Sequence, residues 1–219
     1  MKKILGSLVI FILICQVNIY GQWSVGFHVD PGIAIPYNYD NLPVEDNLQV
    51  SLGVIFISYE IGANLNYELN DKLEIAFGVS YLKIGFALDT KWYSLPATVT
   101  RIYDYFSFPL YIQYNFKKSE KYELGLMAGL AFNHNLRTIN QYEDFVRDLT
   151  MKDIISVKNS IFSYSIGFSW VYSLSNNWHL QIMPDITYFL INDDAGIASY
   201  DPKSKVIQFS ISFGIRHSL

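Results

Sequence analysis

The chain has 219 residues, enough for one domain, and 51% of them are hydrophobic while only 16% are charged, against about 25% charged in a soluble domain. Its net charge of -4 falls further if Lys2 and Lys3 are removed, which excludes the basic surface that nucleic-acid binding requires. The single cysteine, Cys15, lies in the N-terminal apolar run, so a chain cleaved beyond it has no disulfide, no thiol catalysis and no cysteine metal site.

Lys2 and Lys3 precede an apolar run from Ile4 to Cys15 and a more polar stretch to Gly21, the layout of a cleaved secretory signal peptide. The run is shorter than the roughly 20 residues a spanning helix needs. Ile14 argues against acylation of Cys15, because lipoprotein processing wants a small residue there. The expected organisation is a signal peptide over 1–21 and one domain over 22–219. Beyond the signal, polar residues interrupt every apolar stretch long before membrane-helix length.

The apolar residues alternate instead, which is how a strand with one apolar face reads. The first segment puts Trp23, Val25, Phe27, Val29, Ile33 and Ile35 on one face and Ser24, Gly26, His28, Asp30 and Gly32 on the other. Ile57, Tyr59, Ile61, Leu65 and Tyr67 then oppose Ser58, Glu60, Gly62, Asn64 and Asn66, and Leu73 to Tyr81 oppose Glu74, Ala76, Gly78 and Ser80. The phase slips near Val54-Ile55 and Leu82-Lys83, read as β-bulges or as points where the strand leaves the membrane. Further alternating segments run over 106–116, 122–133, 162–172, 178–190 and 207–216, with Glu123, His179, Asp185 and Arg216 on their polar faces. Eight segments predict an all-β, eight-stranded, antiparallel up-and-down transmembrane barrel.

The connections alternate in length, as eight strands with short periplasmic turns and long extracellular loops require. Residues 36–47, 89–101, 137–158 and 192–204 are long, whereas Asn70-Asp71, 117–121 and 175–177 are short. Trp23, Tyr67, Tyr114, Tyr122, Tyr172 and Trp178 form an aromatic belt at the periplasmic ends, with Phe106, Phe132, Phe162 and Tyr188 about ten positions away, the spacing of one bilayer. A soluble lipocalin-like barrel is the alternative, and it needs its apolar face inside.

These features resemble the small eight-stranded outer-membrane barrels of Gram-negative bacteria, the PorT-like and OmpA/OmpX-like domains. The resemblance spans the whole mature chain, in the Lys-Lys signal, "YELNDKLEIAFGVSYLKIGF", "YSLSNNWHLQIMPDITYF" and the closing "VIQFSISFGIRHSL". The chain departs from the family's aromatic terminal residue by ending on Leu219, with Phe213 its last aromatic. The resemblance implies an integral outer-membrane protein surrounded by lipid and lipopolysaccharide, with a structural, adhesive or envelope-interaction role through its loops. Its PorT-like side implies a narrow conduit or a secretion-apparatus partner.

The inward face gathers His28, Asp30, Glu60, Glu74, Glu123, His179, Asp185 and Arg216 in a lumen only wide enough for side chains to fill. These groups are expected to satisfy one another and bound water. Glu74, Glu123 and His179 are a candidate cation or proton site, but their spacing matches no metal motif, and no metal or cofactor is expected. Asn192-Asp193-Asp194 reads as an acidic turn. His134, and His217 with Ser218, are considered for lipid A modification; no serine lies near His134 in sequence, and general-base chemistry needs a bonded partner. No catalytic residue is therefore assigned. In the 137–158 loop, Tyr142, Phe145, Val146 and Leu149 recur at helical spacing and predict a short amphipathic recognition helix.

Overall fold

Alternating side chains dictate strands, and every described element is one. The computed structural model describes residues 22–37, 48–52, 56–92, 95–144, 149–155, 160–190 and 205–219. The expected signal segment lies outside them. The strands are β1 (Trp23–Tyr37), β2 (Leu48–Leu52), β3 (Phe56–Asn70), β4 (Leu73–Trp92), β5 (Leu95–Lys118), β6 (Tyr122–Asp144), β7 (Leu149–Ile155), β8 (Ser160–Ser173), β9 (Trp178–Leu190) and β10 (Lys205–Ser218).

Eight of them close a ring. β1 pairs antiparallel with β3 on one side and with β10 on the other, and the remaining neighbours are successive antiparallel hairpin partners through β4, β5, β6, β8 and β9. Closure removes the free edges that hydrocarbon could not solvate. β2 and β7 stand outside the ring. β2 pairs with the far end of β4, from Leu48 opposite Trp92 to Leu52 opposite Leu88. β7 pairs with the far end of β6, from Thr138 opposite Ile155 to Asp144 opposite Leu149. The long strands β4, β5 and β6 thus rise past the barrel as a sheet flanked by β2 and β7.

The apolar face lies outside. Phe27, Ile57 and Ile166 are 62%, 76% and 65% exposed, a loss of roughly 2 kcal/mol each if they faced water. The inward positions Ser24, Asn66, Gln113, Asn133, Ser169 and Gln208 are buried. This is the facing of a membrane barrel, opposite to a lipocalin-like one. The short turns fall where expected: Asn70 Oδ1 accepts from the backbone N–H groups of Lys72 and Leu73, both at 3.0 Å, an Asx turn that reverses the chain into β4.

Three expectations are corrected. The pairings of Leu82 and Lys83 with Glu60, Tyr59, Tyr105 and Asp104 run without a register shift, so of the two readings of the phase slip there the bulge is ruled out and the strand's exit from the membrane is left. The strand keeps its alternation and turns apolar side chains inward, Leu82 and Ile84 being buried. The segment 89–101 is no loop, since β4 and β5 stay paired from Leu88 opposite Val99 to Trp92 opposite Leu95. Its Thr98, Val99 and Thr100, with Ile102 and Tyr103 just after it, are strand-forming residues, and its polarity reports water outside the membrane. The described residues at both ends of the helix expected over 142–149 are in strands instead: Tyr142 lies in β6 opposite Met151, and Leu149 lies in β7 opposite Asp144. Phe145 and Val146 lie outside the described residues, as do Val54-Ile55 and the 192–204 connection. Helical spacing over two turns is weak beside a β-branched partner strand that supplies a full ladder.

Candidate functional site in the barrel lumen

The lumen is layered along its axis. At the periplasmic mouth Arg216, on β10, donates two hydrogen bonds to Glu74 of β4, at 2.9 and 2.8 Å, and one to Glu68 of β3 at 3.0 Å. Lys118 at the end of β5 bridges Glu68 at 3.1 Å and Glu123 at 3.0 Å. Burial alone would lower the Lys118 pKa, but the carboxylates of Glu123 and Glu68 hold it above its ordinary value. His179 reaches Ser173 Oγ with Nδ1 and Ser218 Oγ with Nε2, both at 3.1 Å. Below this network a vestibule of about 550 Å³ opens beside Lys118, Glu123 and His179.

Above it a polar middle layer continues. His28 Nε2 stands 3.8 Å from Asp30 Oδ2 and 4.0 Å from Glu60 Oε1. Glu60 accepts from Ser80, and Asp185 accepts from Ser210 and, at 2.8 Å, from Thr187. A Cβ on Gly62 would lie 2.7 Å from His28 Nε2 and 2.6 Å from Ser80 Cβ, so only glycine leaves room for the imidazole. The cavity in this layer is about 40 Å³, space for roughly three waters at 10–15 Å³ each.

The outer layer holds an apolar cluster beside the buried polar side chains Asn133, Asn135 and Ser163. Ala34, Leu82, Ile84, Tyr103, Tyr105, Ile161, Phe189 and Val206, from six strands, pack into one buried cluster inside the ring. Between Tyr103 and Tyr105 in β5, on the opposite face of the strand, Asp104, itself buried, accepts from the exposed Arg137.

All eight inward residues named from the sequence line the lumen or its periplasmic mouth, but in separate groups. Glu74, Glu123 and His179 are not brought together as an open cation site, because Arg216 and Lys118 take the first two. Glu68 and Lys118 were missed. Glu68 follows Asn64 and Asn66 in phase. Lys118 faces inward only because the register shifts between Asn115 and Lys117, which alternation cannot foresee. Trp23, Tyr114, Tyr172 and Trp178 are exposed on the outer wall, with Tyr67 partly so and its ring 4.7 Å from that of Trp23; Tyr122 is half-buried beside Lys117 Nζ, 5.3 Å from its ring centre.

The two histidines considered for chemistry meet partners that sequence adjacency does not give. His217 packs against Trp178, ring centres 4.6 Å apart, while Ser218 bonds His179 instead. His134, without a serine nearby in sequence, faces Ser160 across the β6–β8 ladder with Nδ1 3.2 Å from Oγ, both exposed.

Comparison with known proteins places these features among membrane barrels. The outer membrane protein β-barrel domain family matches residues 16–216. No curated protein matches the chain. Among solved structures, Ail, the attachment invasion locus protein of Yersinia pestis, is 13% identical over 90% of this chain and 98% of its own, with a TM-score of 0.41. OprG from Pseudomonas aeruginosa is 12% identical over 91% of this chain and 96% of its own, at 0.45. Neisserial surface protein A is 15% identical over 88% and 96%, at 0.42.

Proposed function

Because the chain belongs to the outer membrane protein β-barrel domain family, and so resides in the outer membrane, we propose that it acts there as a closed barrel whose raised outer rim makes adhesive or envelope contacts. The observation that carries this reading is the length of β4, β5 and β6, which have 20, 24 and 23 residues. A tilted membrane strand needs about 9–11. The surplus of roughly ten residues extends some 30 Å along the strand, and β2 and β7 broaden it into a surface. A rigid surface held clear of the bilayer suits recognition, while the apolar cluster and the Arg216–Glu74 pair fill the described lumen at two levels.

The test compares cells displaying the full chain with cells in which residues 89–98 are replaced by an Asn-Gly turn, for adhesion to immobilised proteins and glycans and for autoaggregation. Loss of a measured contact on trimming is expected. Steady ion conductance of the intact chain in planar bilayers, with contacts indifferent to trimming, would replace this reading by the narrow conduit.

His134 and Ser160 favour one second reading, hydrolysis of a lipid ester. A hydroxyl beside an imidazole on the lipid-facing wall, next to Phe132 and Phe162, has the first two elements of a nucleophilic site. Among the described residues no carboxylate bonds the other imidazole nitrogen. Mass spectra of lipid A from cells expressing the chain or its Ser160→Ala variant decide it: an acyl chain lost only with Ser160 present supports hydrolysis, and identical spectra refute it.

A further inference from the structure

We propose that the middle of the lumen is a binding site for one divalent transition-metal cation of the Zn²⁺ or Mn²⁺ kind, held by His28, Asp30 and Glu60. Their donor atoms, one imidazole nitrogen and two carboxylate oxygens from two adjacent strands, all lie within 4.8 Å of one another. An ion with bonds of 2.0–2.1 Å needs such donors about 3.4 Å apart, so the side chains draw in by roughly an ångström at most, with no change of backbone. A mixed nitrogen and oxygen donor set suits first-row divalent ions better than Ca²⁺ or Mg²⁺, which take oxygen alone.

Charge supplies an independent reason. The cavity is lined by four carboxylates, Asp30, Glu60, Glu74 and Asp185, and by no lysine or arginine among the described residues. Of these four, Arg216 pairs with Glu74 alone. Three acids then share one histidine, where buried carboxylates require a counter-charge or a metal. Two buried polar atoms at this spot also make no close hydrogen bond: Asp30 Oδ1, and the hydroxyl of Ser212, a residue 97% buried whose side chain interacts with Asp30. Both residues line the cavity, whose volume of about 40 Å³ accommodates an ion with one or two waters at 10–15 Å³ each. Gly62 keeps the imidazole's approach clear. With the apolar layer on one side and the Arg216–Glu74 pair on the other, the ion loads during folding or from the periplasmic vestibule.

The full chain is folded in detergent with Zn²⁺ present, freed of loose metal by gel filtration, and assayed for zinc per barrel and for affinity by competition with a chromogenic chelator. One zinc per folded barrel is expected. His28→Gln and Glu60→Gln are each expected to weaken affinity at least tenfold, and Glu120→Gln, at the exposed periplasmic turn, to leave it unchanged. Heat-modifiable gel mobility confirms that each variant is folded. Failure of the folded wild type to retain Zn²⁺ or Mn²⁺ overturns the proposal, as does equal affinity in folded His28→Gln; in both cases protons neutralise the acids.

Discussion

At the scale of single residues, Arg216 is the side chain on which most of the periplasmic network converges. It is buried and bonded to two carboxylates, so Arg216→Met leaves Glu74 charged and unpaired. Breaking a buried pair costs about 3–5 kcal/mol, expected as a lower urea midpoint for barrels in lipid vesicles. The double variant Arg216→Met with Glu74→Gln recovers part of that loss. Lys118 gives a pH signature of known sign. Its pKa is raised in the fold, so its stabilisation is complete below the ordinary lysine value near 10.4 and fades as pH rises through the raised one. The urea midpoint should fall in that alkaline window more steeply for the wild type than for Lys118→Met. Gly62→Ala should cost about 1–3 kcal/mol by pressing on His28 and Ser80. The eight inward residues were legible from phase, since alternation fixes which way a side chain points. Their partners were not: phase carries no distance between strands, and it missed Lys118, whose facing depends on a register shift.

At the scale of elements, β4, β5 and β6 each have two parts with different solvents. Their periplasmic halves alternate cleanly and were readable as strands. Their outer halves carry polar residues on one face and apolar residues such as Leu82 and Tyr103 on the other, so the lipid-facing signal ends while the strand continues. That is why 89–101 reads as a loop from composition and pairs as a hairpin in the fold. The two parts also differ in what they support. Replacing residues 89–98 by Asn-Gly is expected to leave heat-modifiable mobility intact, because the ring pairings of β3 with β4 and of β6 with β8 lie below the cut. Loss of the folded band would show instead that the rim hairpin is needed for closure.

At the scale of the whole molecule, the fold was legible because a single rule, apolar outward and polar inward, governs the membrane-spanning part of every ring strand. The apolar layer inside was not legible, because a segment that is apolar on both faces loses the alternation that betrays a wall. It narrows the outer half of the lumen, and the described barrel is expected to pass no measurable current in planar bilayers. The double variant Leu82→Ser with Phe189→Ser, which wets this layer while keeping the ring, should raise the frequency of small conductance steps. Unchanged silence would locate the seal at the Arg216–Glu74 pair.

The seam between β1 and β10 has a kinetic meaning. Every other ring pairing joins neighbours in a meander, whereas Ser24 meets Ser218 across nearly the full described chain. Tying ends so far apart carries a closure entropy of about 5 kcal/mol in a flexible chain, and the seam can form only once the intervening hairpins have brought its two strands within reach. Seam formation is therefore the expected rate-limiting event of assembly. Since Leu219 donates its backbone N–H to Trp23 O at 2.8 Å, a circular permutant joined there and opened at the Asn70-Asp71 turn moves the seam to β3 and β4. Its ring is the same, but the strands that must find each other last are different ones.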